Sequence, residues 1–478
     1  VKMSQYQTDI YEYYEEIENA MAKKRKLQNK SSETYKTYVR QASNFVFPAI
    51  DQNVTGESRP RPSKFKIGEK EMEMLLKTKD TEQIKKALSS QSQGYFKMLE
   101  KFQDTFDNYL NKIYKKELET KKNINNDMEN FKKYNSYEEY LEKEENKSEL
   151  IKEMMRYSCK FVNIIFNVVK STGPVLIYSN YVLMEGLDML KVYLKYFGFD
   201  SFKNRNSKDY FRYGEFHNGI SREVRKETIN TENDKENAYG KLIKIVMFSP
   251  AGAEGISLES VRQVHIMEPY WHEVRIKQMI GRAIRQCSHK YLPMKDRHVD
   301  IYRYRSVKYN IRIKEIQEGQ TVKKEKIIIE DPNLLKTIDF EIEDMARSKN
   351  NLIQSFEDAI KEVAIDCELF KAHNMKASKY KCFQFNEISL FDKNIGPAYK
   401  EDEIEDMKIA NGSNSAKTIT IKVKVLKIMG IIEELENKED PQNYWYNPES
   451  GTVYDFDLNY PIGKIKYDDS GIPIKLDK

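Results

Sequence analysis

The sequence of 478 residues lacks any apolar run close to the length of a membrane span, and it does not open with a secretory signal. It has only four cysteines, and no two of them show the C-x-x-C spacing of a zinc site. Cys287 and His289 lie close together, but without a second pair they indicate a structural role. These absences predict no membrane partner and no metal site, and they are typical of a reducing compartment.

The sequence also lacks a strong excess of either charge. Its 80 basic and 75 acidic residues leave a net charge of +5, so any surface that binds nucleic acid must be a local patch. The hydrophobic fraction of 39% is high enough for well-formed cores. A chain of this length can hold two or three domains.

Two nucleotide-binding signals are missing as well. No G-x-x-x-x-G-K-[ST] phosphate loop is present, because Gly240-Lys241 continues into Leu242 and Gly463-Lys464 into Ile465. No acidic DExx box follows a predicted strand. The residues that would hold the phosphates and Mg²⁺ of a nucleotide are therefore not visible in this chain.

The most informative stretch lies between residues 247 and 285. An apolar strand is predicted over Leu242–Phe248, followed by the small-residue loop Ser249–Gly255. A second apolar strand follows at Val261–Met267, and a helix then ends in Gln278–Arg285. A strand, a glycine loop, a strand and an arginine-bearing helix, in that order, favour a nucleotide site.

The arginines and glycines of this stretch have the chemistry that such a site needs. Arg282 and Arg285 are three residues apart, which predicts that they share one face of the helix. Arginine keeps its charge and offers a planar set of donors that suits phosphate oxygens. Gly281 leaves space beside them, and Gly252 and Gly255 let the backbone approach a ligand closely. Either element alone is more typical of a solvated helix face or a plain turn; together they favour function.

Three segments resemble motifs of the superfamily 2 helicases. Gly252–Leu258 looks like motif V, Gln278–Arg285 like motif VI, and Val175–Asn180 like motif IV, the first strand of the second RecA-like lobe. Val264–Trp271 and Asn44–Pro48 are similar to the chromatin-remodeller-like ATPases of large cytoplasmic DNA viruses. That family includes the poxvirus nucleoside triphosphatase I and the early transcription factor small subunit. The motifs are specific and cover roughly residues 170–305.

The resemblance implies an α/β fold, a RecA-like helicase C-terminal lobe with a parallel sheet. It places this lobe at residues 151–310. A helical N-terminal region and insertion would precede it at residues 1–150, and a mixed α+β extension would follow at residues 311–478.

The resemblance also assigns residue roles. Arg282 and Arg285 would be catalytic, as arginine fingers for the γ-phosphate of ATP. The implied ATP contacts are Gln278, Gly255, Ser257 and Gly281. Ser257 stands where remodeller-like members usually carry Asn. The implied nucleic-acid contacts are Ser179, Asn180, Gly219, Ser221, Gly252 and Glu254. A plain turn at a strand end is the alternative for Ser179 and Asn180. ATP and Mg²⁺ would be bound mainly by a first lobe that is missing from this chain.

The implied function is that of the C-terminal motor lobe of an ATP-dependent DNA helicase or translocase in viral transcription. Its site of action would be the host cytoplasm, in a viral factory, and the virion. The expected partners are DNA (with RNA as the alternative), the phosphate-loop lobe on the same or a separate chain, and viral RNA polymerase.

Without a phosphate loop, the chain alone is expected to be inactive: a fragment, a split product or a lobe that has lost motor function. The intact arginines argue against loss. One alternative is a non-catalytic RecA-like module that binds RNA polymerase or nucleic acid. Another is a structural or packaging component.

Periodicity predicts further elements around the motifs. Helices are expected at 159–170 and 181–197, strands at 174–179 and 298–304, and a polar loop over 228–238. Ser221 is a predicted helix N-cap. Residues 123–130 and 142–148 are expected to form loops.

The last third of the chain carries its own signals. A hairpin is expected around Glu318-Gly319 and a helix over 338–365, followed by a Gly/Ser/Asn linker at 410–416. A β-branched run covers Lys417–Ile432, and a second hairpin is predicted over Tyr444–Asp457.

Overall fold

The fold is given by a computed structural model. It describes residues 1–27, 36–50, 54–60, 90–120, 122–143, 145, 147–204, 206–217, 219–250, 256–318, 321–370, 382, 445–447, 452–454, 461–467 and 473–477. The chain divides into two compact units, Val1–Ile353 and Gln354–Lys478. The division predicted near residues 150 and 310 remains a prediction. No helix among these residues is long and apolar enough to cross a membrane.

A six-stranded parallel sheet forms the centre of the first unit. Its strands are β1 (Val175–Tyr178), β2 (Asp200–Ser201), β3 (Arg212–Phe216), β4 (Ile245–Phe248), β5 (Gln263–Ile266) and β6 (Asp300–Arg303), in the order β2-β3-β4-β1-β5-β6. Tyr178 of β1 is in register with Phe248 of β4 and Ile266 of β5. The middle strands β1, β4 and β5 are buried throughout, as expected for a parallel sheet covered on both faces. The predicted α/β lobe with a parallel sheet is confirmed.

The helices of the lobe follow their local caps. Helix α7 (Cys159–Lys170) spans the predicted 159–170, and it begins where the Ser158 hydroxyl accepts the Phe161 N–H at 3.0 Å. Helix α8 (Leu187–Tyr196) starts later than predicted, because residues 181–186 form a turn in which the Leu187 N–H donates to the Tyr181 carbonyl.

Helix α9 (Arg222–Glu232) corrects the polar loop predicted over 228–238. The Thr228 hydroxyl donates to the Val224 carbonyl at 2.9 Å, and its methyl packs on Gly214 of β3. The helix therefore continues through Glu232, and a short 3₁₀ turn follows at Lys235–Asn237. Helix α10 (Glu273–Ala283) comes after β5.

Helices before residue 158 share the core of the lobe. They are α3 (Ser90–Glu117), α4 (Ile124–Lys133), α5 (Tyr137–Leu141) and α6 (Glu149–Tyr157). Helices α1 (Gln5–Leu27) and α2 (Thr37–Ala42) instead pack into a second core that includes Ile338 and Ile342. The Phe45 ring contacts Phe106 of α3 and Phe161 of α7, with centroids 5.1 and 6.1 Å apart. Phe161 in turn meets Tyr193 of α8 at 5.3 Å. One aromatic core therefore joins this region to the sheet.

Helix α4 corrects the loop predicted at 123–130. The Asn123 side chain accepts backbone N–H groups from Asn125 and Asn126, so an asparagine-rich stretch begins a helix here. Residues 149–157 form α6 behind the cap of Ser148, whose hydroxyl accepts the Ile151 N–H at 3.1 Å.

The chain after the lobe contains a hairpin and a long helix. Strands β7 (Ile311–Glu318) and β8 (Thr321–Ile328) pair antiparallel, which confirms the predicted hairpin, and α11 (Ile338–Val363) confirms the predicted helix. Strands β9 (Trp445–Asn447), β10 (Thr452–Tyr454), β11 (Pro461–Tyr467) and β12 (Pro473–Asp477) form an antiparallel sheet in the order β12-β11-β10-β9. Pairing of β9 with β10 agrees with the hairpin predicted over Tyr444–Asp457. The predicted linker at 410–416 and the run Lys417–Ile432 lie outside the described residues.

A disulfide joins Cys367, in α12 (Ile365–Leu369), to Cys382. The sequence carried no signal for this pairing, and the bond departs from the reducing compartment that the cysteine usage suggested. The free cysteines of the described chain are the buried Cys159 and the exposed Cys287.

Candidate functional site

The candidate site begins at the edge of the sheet where its parallel strands end. Strand β1 lies between β4 and β5, so chain connections leave β1 toward one side and β5 toward the other. Open α/β sheets bind ligands outside the carboxyl ends of the strands at such a switch point. Here those ends are followed by Ser179, Ser249 and Met267.

Helix α10 presents a polar face near this edge because its other face is buried. Ile276, Met279 and Ala283 recur at helical spacing and pack into the core of the lobe. The start of the helix is held by Glu273, whose carboxylate lies 2.7 Å from the guanidinium of Arg303 in β6. This arrangement leaves Gln278, Gly281 and Arg282 on the opposite face.

A cavity of about 380 Å³ is lined by Gln278, Gly281, Arg282 and Arg285. A Cβ added at Gly281 would meet no atom within 4 Å, so this glycine opens onto free space, as the sequence suggested. The four residues of motif VI that were predicted to act together do line one cavity.

The reason they meet differs from the prediction. Helix α10 ends at Ala283, so Arg285 lies outside it and helical spacing does not align the two arginines. Instead the chain turns back after the helix, and Nε of Arg285 donates to the Gly281 carbonyl at 3.2 Å. The Ser288 hydroxyl accepts the Arg285 N–H at 3.3 Å and fixes this turn.

Both guanidinium groups are also held by the end of the motif V segment. Nη1 of Arg282 donates to the Ile256 carbonyl at 3.0 Å, and Nη1 of Arg285 donates to the Ser257 hydroxyl. The Leu258 N–H returns a bond to the Arg282 carbonyl at 3.0 Å. Ser257, a predicted ATP contact, therefore touches an arginine of the site.

The rest of motif V falls outside the described residues. Gly252, Glu254 and Gly255 belong to the undescribed segment 251–255. Within the part that is described, no ion pair joins Arg285 to a carboxylate, and its side chain is exposed. A paired set of arginines facing a cavity suits the oxygens of a phosphate group.

The predicted nucleic-acid contacts Ser179 and Asn180 face the interior. Ser179 is fully buried, and its hydroxyl donates to Oε1 of Glu268 at 2.9 Å. The backbone N–H of Asn180 donates to the same oxygen, while Nδ2 of Asn44 reaches Oε2 at 3.1 Å. Burial raises the pKa of Glu268, and the Lys160 charge and these donors act against that rise. In this structure Ser179 and Asn180 hold the sheet edge and do not face solvent.

Gly219 and Ser221 lie on the surface at the end of β3. The Gly219 N–H donates to Nδ1 of His217 at 3.2 Å. Because Nδ1 accepts, we assign the proton of His217 to Nε2, which lies 3.2 Å from Oε1 of Glu215. Ser221 caps α9 by accepting the Val224 N–H at 3.3 Å, which confirms the predicted N-cap.

Two residues of the site were not predicted. Glu268 lies two residues after the end of β5, and an acidic side chain just past a buried strand is a signal that could have identified it. Asn233, discussed below, follows α9 and has no such signal.

The described residues contain no cluster of three or more histidine, cysteine or acidic side chains that could hold a metal ion. His289 uses both ring nitrogens within the fold, 2.7 Å from the Val261 carbonyl and 2.8 Å from the Ser288 hydroxyl.

The six-stranded parallel sheet covered by helices is the fold of a RecA-like helicase C-terminal lobe. Residues 156–287 match the model of the helicase conserved C-terminal domain. The chain belongs to the superfamily 2 helicase family of large DNA viruses.

Relatives support this membership over different spans. The chain is 41% identical to an Acanthamoeba polyphaga mimivirus protein named "Putative ATP-dependent RNA helicase". The alignment covers the whole chain and 57% of that protein. It is 28% identical, over 68% of its length, to 41% of nucleoside triphosphatase I of Melanoplus sanguinipes entomopoxvirus. It is 29% identical, over 50% of its length, to 36% of the termination factor NPH-I homolog of African swine fever virus. The chain thus spans between about a third and just over half of the length of these relatives.

Proposed function

We propose that this chain supplies the arginine-bearing lobe of an ATP-dependent helicase or translocase that acts in viral transcription. The cavity lined by Gln278, Gly281, Arg282 and Arg285 is the observation that carries the proposal. Two fixed positive charges facing open space suit a ligand with developing negative charge, such as a transferring phosphoryl group.

In this mechanism the arginines act on the γ-phosphate of ATP. Arg285 uses Nη1 on Ser257 and Nε on Gly281, which fixes the plane of its guanidinium and leaves its remaining donor edge for phosphate oxygens. Arg282 is held in the same way through the Ile256 carbonyl. Arginines that stabilise this charge contribute about a thousandfold or more in rate. Gln278 helps to orient the site, and Gly281 keeps room for the phosphate.

The remaining nucleotide chemistry belongs to a phosphate-loop lobe, on the same or on a separate chain. That lobe would provide the lysine and the Mg²⁺ ligands, and Mg²⁺ would neutralise charge on the phosphate oxygens. This chain alone is expected to show no ATPase activity.

Replacing Arg285 tests the arginine role in a motor that contains both lobes. We expect Arg285→Ala to lower kcat by about a thousandfold while the KM for ATP changes little, because the lost contact forms mainly in the transition state. Arg297→Ala is the matched control. Arg297 is also exposed and donates from Nε to a carbonyl of its own loop, Leu292, at 2.8 Å, but it does not line the cavity. Unchanged turnover in Arg285→Ala would instead favour a non-catalytic RecA-like module.

Nucleic acid is proposed to bind at the amino end of α9. The exposed Arg222 and Lys226 lie in the first turns of this helix, directly after the Gly219–Ser221 turn. Positive charge and a helix amino terminus favour phosphates over base edges. The affinity should therefore depend little on the nucleotide sequence and should fall as the salt concentration rises. Ser179 and Asn180 are proposed to support the nucleic-acid surface from the interior. Gly252 and Glu254 are proposed to contact nucleic acid directly.

A titration across salt concentrations tests this surface. Arg222→Ala and Lys226→Ala should each lower the slope of log affinity against log salt by about one, equally for unrelated DNA sequences. Glu223→Gln, which changes charge on the same turn in the opposite sense, is the control and should not weaken binding. A clear sequence preference, or an unchanged slope in both lysine and arginine variants, would contradict the proposal. Running RNA in parallel decides between the two nucleic acids.

The setting in viral transcription rests on the relatives. One of them is named a termination factor homolog. We propose the host cytoplasm and the virion as the places of action, with viral RNA polymerase as a partner. Co-purification of the chain with viral polymerase from infected cells tests that association.

A further inference from the structure

Asn233 makes a two-point contact with the segment that carries the arginine contacts. It follows the last residue of α9 and caps that helix through its backbone. Its Nδ2 donates to the Ser257 carbonyl and its Oδ1 accepts the Glu259 N–H, both at 2.9 Å. The side-chain amide thus pairs with the backbone as a neighbouring strand would.

The other side of the same segment faces the arginines. The Ile256 carbonyl and the Ser257 hydroxyl accept from Arg282 and Arg285, and the Leu258 N–H donates to the Arg282 carbonyl. Residues 256–260 belong to no strand, so these bonds take the place of a regular ladder.

The position of Ser257 therefore depends on Asn233 at the backbone and on Arg285 at the hydroxyl. Leu258, between the two contact points of Asn233, is fully buried in the lobe core, which keeps the segment from sliding along the asparagine. Glu259 is tied further along by Lys290, whose Nζ lies 2.9 Å from its carboxylate. The asparagine amide holds the carbonyl of Ser257, the residue whose hydroxyl binds Arg285.

We propose that Asn233 is a positioning residue for the arginine site, acting through Ser257 on the guanidinium of Arg285. This inference rests on the proposed function of Arg285. Helix α9 would then connect the two proposed sites. Ser221 begins the helix at the proposed nucleic-acid surface, and Asn233 follows its last residue and binds the segment that holds Arg285.

Kinetics of the motor with both lobes test the proposal. Asn233→Ala removes both contacts and should lower kcat by about tenfold, because small misplacements of a catalytic group are costly, while the KM for ATP stays within about twofold. Asn233→Asp keeps the acceptor for Glu259 but sets a carboxylate oxygen against the Ser257 carbonyl, so it should restore little of the rate.

Asn237→Ala is the matched control. Asn237 is a buried asparagine near the same turn, and its amide binds Glu232 and the N–H groups of Leu242 and Ile243. Losing it should lower the melting temperature without lowering kcat in the folded protein, because none of its contacts reaches residues 256–259.

A double variant separates a positioning role from a structural one. In the Arg285→Ala background, Asn233→Ala should have almost no further effect on kcat, because its effect passes through the missing guanidinium. Independent, multiplied losses would overturn the proposal. So would parental kcat in Asn233→Ala when Arg285→Ala is slow. If Arg285→Ala itself kept parental kcat, the proposed function would fail, and the inference with it.

Discussion

Breaking the buried ion pair of Lys160 and Asp339 should destabilise the first unit strongly. Nζ of Lys160 lies 3.0 Å from Oδ2 of Asp339, and both side chains are 1% exposed. Removing one partner leaves the other charge desolvated, which costs about 3–5 kcal/mol. We therefore expect Asp339→Asn to lower the free energy of unfolding by about that amount.

Glu341→Gln is the matched control, two residues further along α11. Its partner Lys36 lies 2.7 Å away, but the two side chains are 58% and 30% exposed. Such exposed pairs contribute about 0–1 kcal/mol. Urea unfolding followed by circular dichroism gives the midpoint and slope for each variant. Equal shifts of the midpoint for Asp339→Asn and Glu341→Gln would refute the reasoning.

Replacing both charged residues should not restore full stability. Asp339 also accepts the Ser306 N–H and the Ser43 hydroxyl, each at 2.9 Å. In Lys160→Met with Asp339→Leu, the buried N–H of Ser306 loses its partner, which costs about 1–3 kcal/mol. A double variant as stable as the parent would show that this backbone bond contributes nothing.

Two further predictions concern titration and reactivity. Burial alone would raise the pKa of Glu215, but the His217 hydrogen bond and the Lys191 ammonium lower it to about 2 from an ordinary 4.5. Because the folded-state pKa is depressed, this stabilisation is complete above about pH 4.5 and is lost as the pH falls toward 2. In Glu215→Gln, the free energy of unfolding measured with urea should therefore depend less on pH between about pH 5 and 3. An unchanged acid dependence would contradict the pairing. Cys287 is an exposed thiol, whereas burial raises the pKa of Cys159 to about 11. Brief maleimide labelling followed by peptide mass spectrometry should therefore find Cys287 modified first. Equal labelling rates would contradict this expectation.

Strands β1 and β4 could be predicted because each is an unbroken apolar run, whereas β5 alternates polar Gln263 and His265 with apolar residues. β3 escapes such reasoning, since Arg212–Phe216 contains charged residues and Gly214. That glycine is explained by Thr228 packing on it, a contact between separate elements that no local pattern shows. The overrun of α9 past residue 228 has the same cause.

The members of the arginine site could be predicted from their motif, but its geometry could not. Helical spacing would align Arg282 with Arg285, yet the helix ends before Arg285 and a backbone turn brings it back. Ser257 is predicted to touch the nucleotide, and its contact with Arg285 was not foreseen. Such details depend on where a helix frays, which is the least predictable feature of a sequence.

The buried polar contacts at the sheet edge could not be predicted from the sequence, because they join residues that are far apart along the chain. Glu268 collects donors from Ser179, from the Asn180 backbone and from Asn44, a residue 224 positions earlier. Asn44 in turn accepts Lys160, which completes the buried pair with Asp339 in α11.

The edge that precedes the candidate site is therefore built from both flanks of the lobe. Without the N-terminal region, Glu268 would lose Asn44 and Phe161 would lose the ring of Phe45. A buried carboxylate with fewer donors is costly, since its burial is offset only by the groups that bind it. That cost would fall on Ser179 and the end of β1, at the switch point of the sheet. Asn44 and Phe45 thus contribute directly to the shape of the site edge.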